Sequence, residues 1–422
     1  MREAQAMGLS QNGPPTAKAL AVGDMLDALA QVSDVSGEIT RLYLSPAHGR
    51  AVAMVEGWMR SAGMTTRLDA MATLTGRYEA ALPGAPALVI GSHIDSVRNA
   101  GKFDGPLGVA LGIALVSRLN AAERRLPFAL EIAAFGDEEG VRFASTITGS
   151  RALAGTFDPA VLEERDQDGI RRRDALIAFG CDPDLWPASR ARPDTIGYIE
   201  AHIEQGPVLE AKGLALGTVS AIAGASRGVV TLTGIAGHAG TMPMEMRQDA
   251  LAAAAEMVLA IERIGAREPD LRATVGQLDI SGPAVNTVPG RVRFTIDVRS
   301  PDDARRTDAV RDIATEIHSI GARRKVRSDI AMGYVAAAAP CDRRLMQLLD
   351  DSIAALDQPP FHIPSGAGHD AMAFRGVLPM AMLFLRCKGG VSHNPAEHAS
   401  PEDIALALAA LEGMVERLAL WR

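Results

Sequence analysis

The chain has 422 residues, 47% of them hydrophobic and 22% charged, with a formal net charge of −8. That excess of acid gives no electrostatic basis for binding nucleic acid or an anionic membrane surface. The three cysteines, Cys181, Cys341 and Cys387, have no metal-ligand spacing and are too scattered for a disulfide framework, and no apolar run reaches membrane-spanning length.

The length predicts two or more structural units, each able to bury a core. The opening MREAQAMGLSQNGPP is too polar for a signal peptide, so a soluble cytoplasmic protein is expected. Residues 1 to about 18 read as a loose start. Helical spacing of apolar residues covers Leu20 to Ala30 and Gly49 to Gly63, and Thr65 to Leu82 is strand-like. Ala87-Leu88-Val89-Ile90 reads as a buried strand ending in Gly91-Ser92-His93-Ile94-Asp95-Ser96. Asp104 follows in Lys102-Phe103-Asp104-Gly105, just before a helix predicted over Pro106 to Leu119. Ligands of open α/β sheets collect where strands end and helices begin. His93 offers a neutral imidazole there, Asp95 a carboxylate able to orient it, and Asp104 a hard oxygen donor. Another buried strand, Leu126 to Phe135, ends in Gly136-Asp137-Glu138-Glu139-Gly140. Adjacent glutamates at a strand end point different ways, so one can bind metal while the other faces a substrate.

Residues 150 to 195 read as helical with polar loops, and Arg171-Arg172-Arg173 is expected to be solvated surface. Ile196 to Pro207 alternates apolar and polar residues and carries His202 near Glu204 and Gln205; His202 with Glu204 echoes the pair His93 and Asp95. Val219 to Gly234 reads as strands and Gly237-His238-Ala239-Gly240-Thr241 as a loop. A long helix is expected over Met244 to Ile264. Strands follow at Ala273 to Leu278 and Val292 to Val298, joined through Asn286-Thr287-Val288-Pro289-Gly290. A helix over Pro301 to Ile320 is opened by a Ser300 N-cap and first-turn proline, and Lys325 to Met332 is a last strand. Two such strand-helix-strand units make a small antiparallel sheet with two helices. It is expected as an insertion at 216–332 between catalytic segments 1–215 and 333–422, with an exposed sheet edge suited to a dimer contact. Beyond it come a helix from Arg343 to Leu356, a Gly-rich loop over Ile363 to Ala371 with His369 and Asp370, a strand from Pro379 to Leu385, the loop Gly389 to His398, and a long closing helix. His48, His318 and His362 lie outside every constellation and read as packing or surface residues.

The order His93-x-Asp95, Asp104, Glu138-Glu139, His202 and His393 resembles the dinuclear metal amidohydrolases of the aminoacylase and carboxypeptidase superfamily. Within it, GSHIDS with GKFDG, DEEGVRF, HIEQGP, GHAGTMPM with RQDA, NTVPG and SHNPAEH resemble the hydantoinase/carbamoylase family, which holds N-carbamoyl-L-amino-acid hydrolases, β-ureidopropionases and allantoate amidohydrolases. These motifs span residues 91 to 398. HIEQGP is the most telling, because exopeptidase relatives usually carry aspartate where His202 falls.

The resemblance implies an α/β fold: a metal-binding catalytic domain with a mixed central sheet flanked by helices, plus an inserted ferredoxin-like α+β sandwich acting as lid and dimerisation domain. It implies two divalent metal ions per subunit, zinc by the donor types, with manganese, cobalt and nickel compatible. Asp104 is similar to the bridging carboxylate, His93 and His202 to ligands of one metal, and Glu139 and His393 to ligands of the other. Glu138 looks like the general base and Asp95 like the orienter of His93. Gln205 looks like a ureido contact, Asn286 and Arg299 like the clamp on a substrate carboxylate, and His238 like an electrophilic helper reaching the partner's site in a homodimer. The activity implied is hydrolysis of a ureido C–N bond in allantoate or an N-carbamoyl-L-amino acid. A metallo-exopeptidase or N-acyl-amino-acid deacylase is the alternative, and a non-catalytic metal-binding scaffold a third.

Overall fold

A computed structural model describes residues 15–420, with side chains from residue 22 onward. Most of the loose start expected over residues 1–18 lies outside the described residues, and α1 (Pro15–Ala30) already begins at Pro15. Next comes α2 (Pro46–Ser61), with Pro46 in its first turn and the Ser45 hydroxyl accepting from the His48 amide at 3.1 Å. The hairpin β1 (Thr65–Leu68) and β2 (Leu74–Tyr78) leads to β3 (Ala87–His93), whose seven residues are all buried. Then follow α3 (Pro106–Ala121), β4 (Ala129–Phe135), α4 (Thr148–Ala154), α5 (Arg172–Phe179), β5 (Gly197–Ile203), α6 (Val208–Lys212) and β6 (Leu216–Ile222).

The chain divides into two compact units: residues up to 220 with 341–363 and those from 369 onward, and 221–340 with 364–368. The second unit holds β7 (Gly224–Thr233), β8 (Gly237–His238), α7 (Ala250–Gly265), β9 (Arg272–Thr274), β10 (Leu278–Ile280), β11 (Thr287–Val288), β12 (Arg291–Ser300), α8 (Asp303–Arg324), β13 (Arg327–Ala336) and β14 (Ala339–Pro340). Its antiparallel sheet runs β10-β12-β7-β13, with β9 also on β12. One face, including Val230, Leu232, Phe294 and Ile296, packs on Met257 and Ile261 of α7 and Ile313 and Ile317 of α8. The alternation along β12 is that of a sheet with one face covered.

Three local readings are corrected here. Met244–Met246 is a single 3-10 turn and α7 begins at Ala250, because Asp249 takes the Leu251 and Ala252 amides, both at 2.9 Å. Asp302, not Ser300, caps α8, accepting from Ala304 N at 2.8 Å and Arg305 N at 3.2 Å. The strand expected over Ala273 to Leu278 is broken into β9 and β10.

The chain then returns to the first unit with α9 (Arg343–Ala354), β15 (His362–Ser365), β16 (Met380–Leu385) and α10 (Pro401–Leu420). The large mixed sheet runs β1-β2-β4-β3-β5-β16-β6. β4, β3, β5 and β16 are parallel neighbours, and β2 and β6 pair antiparallel at their flanks. The register sets His93 beside Phe135 and His202 beside Phe384, so the parallel strands deliver their last residues to one edge. α3 packs on β3, β4 and β5, and α1 and α10 pack on α3 and on each other. Gly108 permits the close approach of α3 to β5: a Cβ there would lie 2.3 Å from Ala201 O.

Candidate metal centre

His93 ends β3 and His202 lies one residue from the end of β5; both are buried. β5 alternates apolar and polar residues, yet it is central and wholly buried. Its polar positions Glu200 and His202 are therefore turned to use inside the protein. Asp104 reaches them from the turn before α3. Its Oδ1 lies 3.1 Å from His202 Nε2 and 3.8 Å from His93 Nε2. Its Oδ2 lies 3.4 Å from His393 Nε2, which is also 3.4 Å from Glu139 Oε2. Two donor groups result, His93–Asp104–His202 and Asp104–Glu139–His393, each with donor atoms within 4.8 Å of one another and sharing Asp104.

The surrounding bonds aim these donors. His202 Nδ1 donates to Ile203 O at 2.9 Å, which leaves the Nε2 lone pair facing a carboxylate oxygen. Nε2 is buried and has no hydrogen-bond partner. Two acceptors facing each other out of water call for a cation between them. His93 Nδ1 donates to Asp95 O at 3.2 Å and lies 3.3 Å from Asp95 Oδ1, and the same carboxylate accepts the Glu138 and Glu139 amides, each at 3.2 Å. One residue thus orients a histidine, through its carbonyl and carboxylate, and fixes the glutamate pair. Val97 N donates to Glu139 Oε1 at 3.2 Å, leaving Oε2 toward His393.

The electrostatics point the same way. Burial, with Glu139, Asp370 and Asp95 alongside, pushes Glu138 well above the ordinary carboxylate value against the pull of His93. Burial, with Asp104 and Asp95, pushes Glu139 up to about 8. So many carboxylates crowded in a low-dielectric pocket suit divalent cations, and the hard oxygen and imidazole donors fit them.

The structure does not join every pair expected. Glu204 does not orient His202; it accepts from Val208 N at 2.7 Å and Leu209 N at 2.8 Å, capping α6. The Gln205 amide donates to Asp104 Oδ2 at 2.9 Å. The arginine run is not all solvated: Arg172 is fully buried, donating to Asp137 and Glu164. In the second unit, β8 pairs with β11 so that His238 lies across from Thr287, and Ala239 N donates to Asn286 O at 2.8 Å. Arg299 makes a fork with Asp297, at 2.8 and 3.1 Å, and donates to Gly366 O at 2.7 Å.

Two participants were not singled out in advance. Glu397 is buried and accepts the Phe103 and Asp104 amides at 2.8 and 2.9 Å, setting the turn that carries Asp104. Ser392 Oγ donates to Asp104 Oδ2 at 2.5 Å. Both lie in SHNPAEH, where only the histidine attracts notice from its chemistry. His369 and Asp370, unassigned from sequence, come close: the His369 ring centroid is 4.6 Å from that of His202, and burial with His202 holds His369 well below the ordinary imidazole value.

A family model described as peptidase family M20/M25/M40 matches residues 89–417. The chain is 40% identical over 421 residues to an allantoate deiminase of Arabidopsis thaliana, covering 92% of this chain and 80% of that protein. It is 40% identical over 385 residues to an N-carbamoyl-L-amino acid amidohydrolase of Geobacillus stearothermophilus, covering 91% and 94%. A crystal structure of a hydantoinase/carbamoylase family amidase from Burkholderia multivorans superposes with a TM-score of 0.89 at 31% identity, covering 94% of this chain and 97% of that one.

Proposed function

The chain belongs to the M20/M25/M40 peptidase family, among its hydantoinase/carbamoylase amidases, and from that premise we propose that it cleaves a ureido C–N bond of allantoate or an N-carbamoyl-L-amino acid. It is a hydrolase of non-peptide C–N bonds. The observation that carries the reading is the pair of donor groups sharing Asp104, with Glu138 next to the ligand Glu139. A ureido carbon is a poor electrophile because two nitrogens donate into it. Two divalent ions, zinc by the donor set, with manganese, cobalt or nickel compatible, would make water more acidic and stabilise charge on the carbonyl oxygen.

The chain's own residues do the rest. Glu138, its proton affinity raised by burial, takes a proton from the attacking water and returns it to the leaving nitrogen. With either substrate the ureido carbon leaves as carbamate, which breaks down to ammonia and carbon dioxide. Asp95 holds His93 and both glutamate amides in register. We assign the substrate carboxylate to Arg299, whose terminal nitrogens keep protons beyond those given to Asp297 and Gly366, together with Asn286. Gln205, anchored on Asp104, is assigned to the ureido group, and His238, supplied across a homodimer, to the developing oxyanion.

The test is ammonia release by metal-loaded protein with allantoate and a panel of N-carbamoyl-L-amino acids, against N-acetyl amino acids and dipeptides. Turnover of a ureido acid is expected. In Glu138→Gln it falls by about 10²- to 10⁴-fold, the usual contribution of a positioned base, while metal content persists. Turnover confined to the acetyl or peptide substrates would overturn the reading.

A further inference from the structure

Arg172 is the first residue of α5, and its guanidinium is completely buried. Nη1 donates to Asp137 Oδ2 and, at 3.0 Å, to Thr148 Oγ1; Nη2 donates to Ser145 O at 2.8 Å and Glu164 Oε2 at 3.0 Å. Its charge lies over the Phe143 ring, 4.5 Å from the centroid. Asp137 also receives the Thr148 hydroxyl at 2.5 Å, and its carbonyl accepts Ile147 N at 2.6 Å. Asp137 immediately precedes Glu138 and Glu139. The three-residue segment is thus gripped from two sides: Arg172 and Thr148 hold its first side chain, and Asp95 holds its next two amides.

We propose that Arg172 is a positioning residue for this site, acting through Asp137 to fix where Glu138 and Glu139 point. A buried ion pair is poor evidence of stabilisation, since apolar residues of similar volume often serve as well. What this pair supplies is geometry: Asp137 directly precedes the glutamates, and Arg172, from α5, also holds Ser145 O and Thr148 Oγ1 just after them. The role rests on the reading of Glu138 as base and Glu139 as metal ligand.

The test uses Arg172→Lys, which keeps the charge and loses the fork, and the double variant Arg172→Met with Asp137→Asn, which removes the buried pair and leaves only the partly exposed Glu164, still held by Ser145 N, without its cation. Both are loaded with cobalt and compared by visible absorption, metal affinity, melting, and kcat and KM on the best ureido acid. The expected result is a folded protein with a shifted cobalt spectrum and a kcat lowered by about 10- to 100-fold at little changed KM, as small misplacements of reacting groups do. Arg171→Gln, on an exposed pair with Asp174, leaves spectrum and turnover as they were. A folded variant with an unshifted spectrum and unchanged kcat overturns the proposal. So does loss of fold in both variants, which would make the pair structural. If the parent turned over no ureido acid, the functional reading would fail while the cobalt spectrum still decided the role of Arg172.

Discussion

A histidine inside a core of this kind is a pH-dependent liability, and His48 shows it. Its ring stacks on Phe179 with centroids 5.2 Å apart, and Nδ1 accepts the Leu44 amide at 3.1 Å. Burial, against the pull of Asp95, lowers its pKa to about 4. An unfolded histidine titrates near 6.5. Below that value the unfolded chain therefore binds a proton that the folded one refuses. The stability tied to neutral His48 is fully present above pH 6.5 and drains away as the pH falls toward 4. The difference is worth about 3 kcal/mol. We expect His48→Gln to be less stable than the parent at pH 7 but to lose less of its melting temperature between pH 7 and pH 4.5. Equal slopes in the two proteins would show that His48 titrates as an ordinary histidine.

At the scale of elements, the site is made by strand ends and the turns after them, and one glycine limits how those turns can be built. Gly105 has φ +85°, and a Cβ there would lie 2.4 Å from the His93 ring. Gly105→Ala must therefore strain the backbone, by about 1–3 kcal/mol, or push His93 off its donors. We expect metal affinity to drop roughly tenfold, as it does when a ligand loses its support. Equilibrium dialysis reads this directly, and parent-like affinity would mean that the turn relaxes without moving His93. These strand ends are also what the sequence makes legible. His93 and the glutamate pair sit at the ends of apolar runs, whereas Asp104 and His393 lie in glycine-containing loops and His202 in an alternating strand, so it was the order of motifs in the family resemblance that tied the five donors together. Glu397 escaped because its partners, the amides of Phe103 and Asp104, lie 294 and 293 residues away. Arg172 escaped for the same reason: Asp137 is 35 residues distant, and a run of three arginines carries no local sign that its middle member is buried. The start of α7 and the cap of α8 were misplaced because Asp249 and Asp302 are the residues that accept the first-turn amides.

For the whole molecule, the question left by the second unit is what covers its free edge. β13 ends the order β10-β12-β7-β13, and among the described residues no further strand pairs with it. Its first half carries the exposed Arg327 and Asp329, but its second half is apolar and open: Tyr334 is 49% and Val335 67% exposed. An open edge that is apolar invites pairing with another chain, and proteins that remain single usually guard such edges with charge or proline. The homodimer proposed above would place this edge against its copy. We therefore expect the parent to sediment as a dimer and Val335→Lys, which sets a charge on the edge, to shift toward the 44.4 kDa monomer. Metal content should be unchanged, since every donor named lies in the first unit. Turnover should fall in step with the dimer as the variant is diluted. If the variant remains dimeric, the contact lies on another face of the protein. If it dissociates with full turnover, the site is complete within one chain, and the assignment of His238 across the dimer is wrong.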